Sequence, residues 1–210
     1  MRPFLETERL ILRHFTGSDA DHLVELDGDP EVMRHLTGGR PTPRESIETD
    51  VLPRFLDYHR RFTGYGFFAA IKQAGGDFLG WFHFRPRPDD PPGTVELGYR
   101  LRRSAWGKGY ATEGSRELIR KGFTEFGVEV VYAQTMAVNA RSRRVMEKAG
   151  LRYVRTFHRE WAEPLPGTQH GEVEYALARR DWQAERSDWP EPQRRVRAGP
   201  PAGSNSPITG

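Results

Sequence analysis

The sequence predicts an α/β fold, and three observations carry that prediction. Short runs alternate apolar and polar residues with the period of half-buried strands, as Leu10 and Leu12 do against Arg9 and Arg13. Other segments repeat apolar residues every three to four positions, the period of a helix with one buried face. A third strand-like run, Thr94 to Leu101, leads into Trp106-Gly107-Lys108-Gly109-Tyr110, a glycine turn that opens a helix. Glycine lets a backbone come close to a ligand, and the helix start offers unpaired N–H groups and the positive end of its dipole. Such a turn suits a pyrophosphate, although the same turn also joins strands to helices with no ligand.

The elements follow in order. Thr7 to His14 reads as a strand. Ser18 with Asp21 resembles a capping box ahead of Leu23, Val24 and Leu26, which predicts a helix stopping at Gly28. Thr42-Pro43-Arg44-Glu45 combines an N-cap, a first-turn proline and an acid, so a helix runs from there towards Phe62, kinked at Pro53. Phe67 to Gln73 and Phe78 to Arg85 are strands joined by the hairpin loop Ala74-Gly75-Gly76-Asp77. Thr94 to Leu101 follows the Pro/Asp-rich turn of Pro86 to Gly93. From Tyr110 onward, Ala111, Ser115, Leu118, Ile119, Gly122, Phe123 and Phe126 share a helical face. Val128 to Thr135 is an apolar strand and Ala140 to Ala149 a helix closed by Gly150; Leu151 to His158 and Glu172 to Ala178 complete the strands. After Trp182 the composition turns to Pro, Arg, Gly and Ser, too poor in apolar residues to offset ordering entropy. One domain is therefore expected over residues 1–182, and a disordered, solvated tail over 183–210.

Composition narrows the chemistry. The 210 residues include no cysteine, which excludes disulfides and a protein thiolate. The seven histidines are dispersed without ligand spacing, so no metal site is expected. A net charge of +3 argues only weakly for a polyanion, and the arginines of the tail alone support a nucleic-acid adaptor. No stretch approaches the roughly 20 apolar residues of a membrane span, and no secretory apolar region follows the N-terminus. A soluble, cytoplasmic protein is the expectation.

The glycine turn is neither a dinucleotide fingerprint, which needs a third glycine and a distant acid, nor a Walker loop. Its meaning comes from a second element, Val138-Asn139-Ala140-Arg141-Ser142-Arg143-Arg144-Val145-Met146-Glu147-Lys148-Ala149-Gly150. Trp-Gly-Lys-Gly-Tyr-Ala-Thr-Glu followed by Asn-x-x-Ser-x-x-Val-x-Glu-Lys-x-Gly resembles the GCN5-related N-acetyltransferase (GNAT) superfamily. The opening Thr-Glu-Arg-Leu-Ile-Leu-Arg is similar to its RimJ/RimL-like branch, and the likeness spans approximately residues 5 to 182.

That resemblance implies a mixed, mostly antiparallel sheet flanked by helices and splayed at an acetyl-CoA site. It implies that Trp106, Gly107, Lys108, Gly109, Tyr110 and Ala111 bind the CoA pyrophosphate through backbone amides. Arg100, Leu101 and Arg102 would run beside the pantetheine arm with main-chain hydrogen bonds. Where the superfamily often has Arg or Gln three residues before the first glycine, this chain has Ser104, which leaves Arg102 or Arg103 as phosphate partners. Asn139 would bind the pantetheine or the acetyl-transfer region, and Ser142 would bond the CoA sulfur and help protonate the departing thiolate; helix capping alone also explains both. Arg141, Arg143 and Arg144 would either reach the 3′-phosphate or form a solvated face. Glu96 is the base candidate, the alternative being an ordinary strand carboxylate. His83 and His158 are further proton-relay candidates, with a structural role as the alternative. Glu113 is read as supporting a helix start. The implied activity is acetyl transfer from acetyl-CoA, a co-substrate, to a protein N-terminal or small-molecule amine. A non-catalytic CoA-binding module is the alternative, and a homodimer stays open. The acceptor pocket would be built by the first two helices, the loop of Arg34 to Arg44, and the Trp161 to Gly171 turn.

Overall fold

The computed structural model describes residues 3–161 and 163–185. Its order is β1 (Leu5–Glu6), β2 (Leu10–His14), α1 (Ala20–Gly28), α2 (Pro30–Thr37), α3 (Arg44–Ser46), a wide helical turn at Ile47–Val51, α4 (Leu52–Arg61), β3 (Gly66–Lys72), β4 (Phe78–Arg85), β5 (Thr94–Leu101), α5 (Tyr110–Glu125), β6 (Val130–Met136), α6 (Ala140–Lys148), β7 (Arg152–Phe157), β8 (Glu172–Ala178) and α7 (Arg179–Ala184). The strands form one eight-stranded sheet in the order β1-β2-β3-β4-β5-β6-β8-β7. Among the described residues β5 and β6 are the only parallel neighbours. This is the α/β fold with a mostly antiparallel sheet that the sequence led us to expect.

Helices cover the sheet from both sides because its strands are apolar on both faces in the centre. Phe82, Phe84, Leu118, Ile119 and Phe123 pack on the face under α5 and α6. Phe15, Leu23, Leu26, Phe55, Phe67 and Trp81 pack on the other, under α1 to α4. Helix α5 approaches β4 closely because it presents glycine there. A methyl group on Gly114 would lie 2.4 Å from the Phe82 ring, and one on Gly122 2.5 Å from that of Phe84. Gly114→Ala is accordingly expected to cost about 1–3 kcal/mol, the range for overpacking a closed core, read as a lower urea midpoint.

Several expectations are corrected. The first helix is entered two residues earlier than predicted: the Thr16 amide donates to Asp19 Oδ2 at 2.8 Å, and a short 3₁₀ turn precedes α1. Helix α2 went unpredicted, although its signals are present: Asp29 accepts from the Glu31 amide at 2.9 Å, Pro30 follows, and Gly38 closes the helix with φ +71°. The bend expected at Pro53 is absorbed by the wide turn just before it, where the missing proline N–H costs nothing. Residues 183 to 185, expected in the tail, close and cap helix α7, held by Trp182 in the core. The rest of that expected tail, 186–210, lies outside the described residues.

Candidate active site

The site begins where two strands part. β5 and β6 pair at Thr94↔Val130, Val95↔Val131 and Glu96↔Tyr132, and there the parallel ladder ends. β5 continues to Leu101 on β4, while β6 continues to Met136 on β8. Each strand keeps one neighbour and loses the other, so a wedge opens with main-chain groups along its walls and Glu96 at its apex.

Glu96 is largely buried. Arg85 Nη2 lies 3.2 Å from its Oε2 and Arg87 Nη1 3.8 Å from its Oε1. Burial raises its carboxyl above the usual range, against the opposing pull of Arg85 and Arg87. His83 Nε2 stands 3.6 Å from Glu96 Oε2, its ring seated over Gly98, where any Cβ would lie 2.4 Å from it. Burial, with the nearby Arg85, Arg100 and Arg87 charges, lowers the His83 imidazole to about 3, so it is neutral at physiological pH. His158, the other relay candidate, is exposed and contacts the Gln169 carbonyl at 3.4 Å.

At the other end of the wedge, Gly107 (φ +73°) and Gly109 (φ +84°) both hold the left-handed conformation that side chains resist. Among the described residues, no atom beyond Trp106 to Lys108 lies within 4 Å of a Cβ built on Gly107, and no side chain caps the α5 start that follows Gly109. The turn is tied down by the N-terminal Thr-Glu-Arg-Leu segment. Glu113, in the first turn of α5, accepts from Thr7 Oγ1 at 2.5 Å, the Arg9 amide at 3.0 Å and Arg9 Nε at 2.7 Å. Arg9 Nη1 also donates to the Lys108 carbonyl at 2.9 Å, and its guanidinium lies 4.7 Å from the Tyr110 ring centre. Glu113 is thus a clamp between chain start and glycine turn, beyond the helix-end role expected of it.

Trp106 has a structural part, its indole N–H donating to the Leu101 carbonyl at 2.8 Å. Arg141 lies over its ring at 5.1 Å. Arg100 turns to α1, 2.5 Å from buried Asp27, and Arg102 lies 2.6 Å from Glu25. Arg103 has Asp29 at 3.9 Å. Both arginines named as phosphate partners thus lie beside acids, Arg102 in a close ion pair with Glu25 of α1 and Arg103, largely exposed, near Asp29 at its C-cap. Arg143 is likewise engaged, by the Tyr175 hydroxyl and the Ala137 carbonyl.

Across the wedge, Asn139 caps α6 by accepting from the Ser142 amide at 3.2 Å, and its Nδ2 donates to Thr135 Oγ1 at 3.1 Å. The capping alternative is thus realised for Asn139. Ser142 Oγ instead lies 3.0 Å from the hydroxyl of Tyr99 on β5. Tyr99 escaped the sequence reading, which offered no signal beyond a tyrosine on a strand. Burial raises its hydroxyl to about 12, leaving it a protonated donor. Two of the elements expected to build an acceptor pocket also meet: Leu36, Thr37, Arg40, Trp161, Glu163 and Leu165 line a cavity of about 320 Å³.

This architecture matches a known family. The model of the Acetyltransferase (GNAT) domain family matches residues 9–152. The chain belongs to the GNAT acetyltransferases. An FsC-acetyl coenzyme A-N(2)-transacetylase of Aspergillus fumigatus is 36% identical over 188 residues, covering 86% of this chain and 78% of that protein. The crystal structure of a GNAT-family acetyltransferase from Bacillus anthracis superposes with a TM-score of 0.67 at 24% identity, over 84% of this chain and 98% of that one. RimL, a ribosomal L7/L12 alpha-N-protein acetyltransferase solved with coenzyme A, gives 0.68 at 19% identity, over 84% and 98%. These two likenesses concern the fold. Among the described residues no helix is long and apolar enough to cross a membrane, and no group of acids and histidines could hold a metal.

Proposed function

We propose that this GNAT acetyltransferase moves the acetyl group of acetyl-CoA to a primary amine by direct attack, with no covalent enzyme intermediate. The observation that carries the reading is the parting of β5 from β6 directly after Glu96. It puts a buried carboxylate, a strip of free main chain and the Tyr99–Ser142 pair around one opening, with the glycine turn at its mouth. The residues present fit the co-substrate: the turn has room beside Gly107 and an uncapped helix start for a pyrophosphate. Acetyl-CoA would supply the acyl group as a thioester and leave as the free thiol.

In this reading Gly107 to Ala111 hold the phosphates through main-chain N–H groups, while Arg9 and Glu113 fix the turn that aims them. The free edge of β5 beyond Glu96 lies beside the pantetheine arm, and its amides polarise the acyl carbonyl. Glu96 takes the amine proton, directly or through water. Tyr99 and Ser142 direct a hydroxyl proton toward the departing sulfur. Tyr99→Phe is expected to lower kcat five- to thirtyfold and Ser142→Ala tenfold or more, with KM for acetyl-CoA changing less than threefold. Their double variant should be no slower than Ser142→Ala, because Tyr99 acts through that hydroxyl. Additive losses in steady-state rates would separate the two residues.

The Aspergillus fumigatus relative is named for transfer to an N(2) nitrogen, and we carry over to this chain an amine acceptor of that kind. The Thr-Glu-Arg-Leu opening and Ser104 place it, in our reading, in the RimJ/RimL-like branch. The test is a panel of amines with free-thiol detection, preceded by titration with acetyl-CoA. Saturable binding and amine-dependent thiol release are expected. No binding at high micromolar acetyl-CoA sinks the proposal, and binding without release by any amine leaves a non-catalytic CoA module.

A further inference from the structure

Beside Glu96, on the face of β6 and β8 opposite α5 and α6, lies a cavity of about 440 Å³ whose lining includes Arg87, Thr94, Tyr132, Gln134, Arg155 and Glu174. Two cations, Arg87 from its lining and Arg159 from beside it, converge on one neutral atom of the lining residue Gln134. Arg87 Nη1 donates to Gln134 Oε1 at 3.4 Å, and Arg159 Nη2 donates to the same oxygen. An amide oxygen is a weak partner for one guanidinium and a poor one for two, since charged donors gain most from charged acceptors.

Of the three acids that line this cavity, Asp89 is exposed, and Glu174 and Asp90 are already engaged. Glu174 accepts from Gln134 Nε2 at 2.7 Å and pairs with Arg155 at 3.2 Å. Asp90 accepts from the Tyr132 hydroxyl at 3.0 Å and from the Arg87 amide at 2.7 Å. The Arg87 guanidinium has Glu96 within ion-pair distance, at 3.8 Å, and that carboxylate is also shared by Arg85. Among the described residues no carboxylate lies within ion-pair distance of Arg159, which stacks 5.4 Å above the Phe157 ring. Glu172, buried on β8, feels the Arg159 charge, yet its burial favours the neutral form.

We infer that Arg87 and Arg159 receive an acid group of the acceptor, so that the substrate is an amine carrying a carboxylate a few bonds from the reacting nitrogen, an α-amino acid or a compound built from one. The inference rests on the proposal that Glu96 receives the amine proton. Arg87 is only 3.8 Å from that carboxylate, so an amine at Glu96 and an acid on Arg87 must belong to a short segment of one molecule. Two planar forks suit a carboxylate, and the flanking Glu96 and Glu174 disfavour a dianionic phosphate.

The experiment compares L-alanine, L-leucine and L-lysine with their carboxamides and decarboxylated amines, using acetyl-CoA and thiol detection. The free acids are expected to exceed both analogues ten- to hundredfold in kcat/KM, mostly through KM. In Arg159→Gln, an exposed position whose thermal melt should be unchanged, the ratio should fall below threefold; Arg87→Gln should act in the same direction. Turnover of the analogues at least as fast as of the acids overturns the inference and leaves acetyl transfer standing. A second measurement needs no turnover: titration of the CoA-loaded protein with N-acetyl-L-alanine and with its methylamide. Tenfold tighter binding of the acid, lost in Arg159→Gln, supports the inference, and equal affinities overturn it. Failure of CoA itself to bind overturns the acetyltransferase reading and this inference with it.

Discussion

Replacing Glu96 by Gln is expected to cut kcat/KM about a hundredfold or more for a lysine-like amine, but only about tenfold for an α-amine, within the span general bases command. The difference follows from the acceptor. At pH 7 an α-amine with a pKa near 8 needs roughly 1 kcal/mol to shed its proton, whereas a lysine-like amine near 10.4 needs roughly 4.6 kcal/mol. The poorer acid leans harder on the carboxylate. Gln keeps the shape and hydrogen bonding of Glu96 beside Arg85, so a fall in rate reports the lost proton acceptor. A pH profile separates this from a structural effect. Below the amine pKa, log kcat/KM should rise with a slope of one, because only free amine attacks. Below the pKa of Glu96 the slope should become two, because the base is lost as well. Burial raises this pKa, so the break should lie above the usual carboxylate range. Glu96→Gln should show slope one throughout. Equal rates for variant and wild type with both amines would remove Glu96 as base.

Gly107→Ala should raise KM for acetyl-CoA ten- to fiftyfold while costing about 1–2 kcal/mol of stability, the usual penalty for an L-residue in the left-handed region. Two roles of this glycine predict different results. Were it only a turn residue, the strain at φ +73° would lower the melting temperature and leave cofactor affinity alone. Among the described residues no atom beyond its chain neighbours comes within 4 Å of the added methyl, so the fold has space for it. If the pyrophosphate sits against this backbone, the methyl occupies the ligand's own space. Gly109→Ala is the companion, since its methyl would stand 3.3 Å from Arg9 Nη2 and disturb the clamp as well. Titration with CoA beside a thermal melt separates the outcomes: an unchanged affinity for Gly107→Ala would assign the turn to structure alone.

Much of the fold was legible in the sequence because its instructions are short. The alternation around Leu10 and Leu12, the apolar face from Ala111 to Phe126 and the paired glycines each lie within a window that sterics and period can interpret. The misses were also local: Asp29-Pro30 and Gly38 bracket α2 with ordinary capping signals, but its polar composition hid the helix. The entry to α1 was misread because Thr16 and Asp19 form a capping pattern just upstream of the one chosen.

Local sterics and periodicity set which backbone segments can bend, cap or alternate, and with them the glycine turn, the Asn139 cap and the position of Glu96 on a strand leading into the turn. What those residues meet follows from long-range pairing instead. The ladder between β5 and β6 ends after Glu96. Tyr99 meets Ser142 across 43 residues and Thr7 meets Glu113 across 106. Arg102 turns to an acid of α1, and Arg87 and Arg159 meet at one oxygen of Gln134. The physical reason is register. A one-residue slip in a strand moves every side chain to the opposite face, so partners distant in sequence are set by how the whole sheet pairs, which no short window contains.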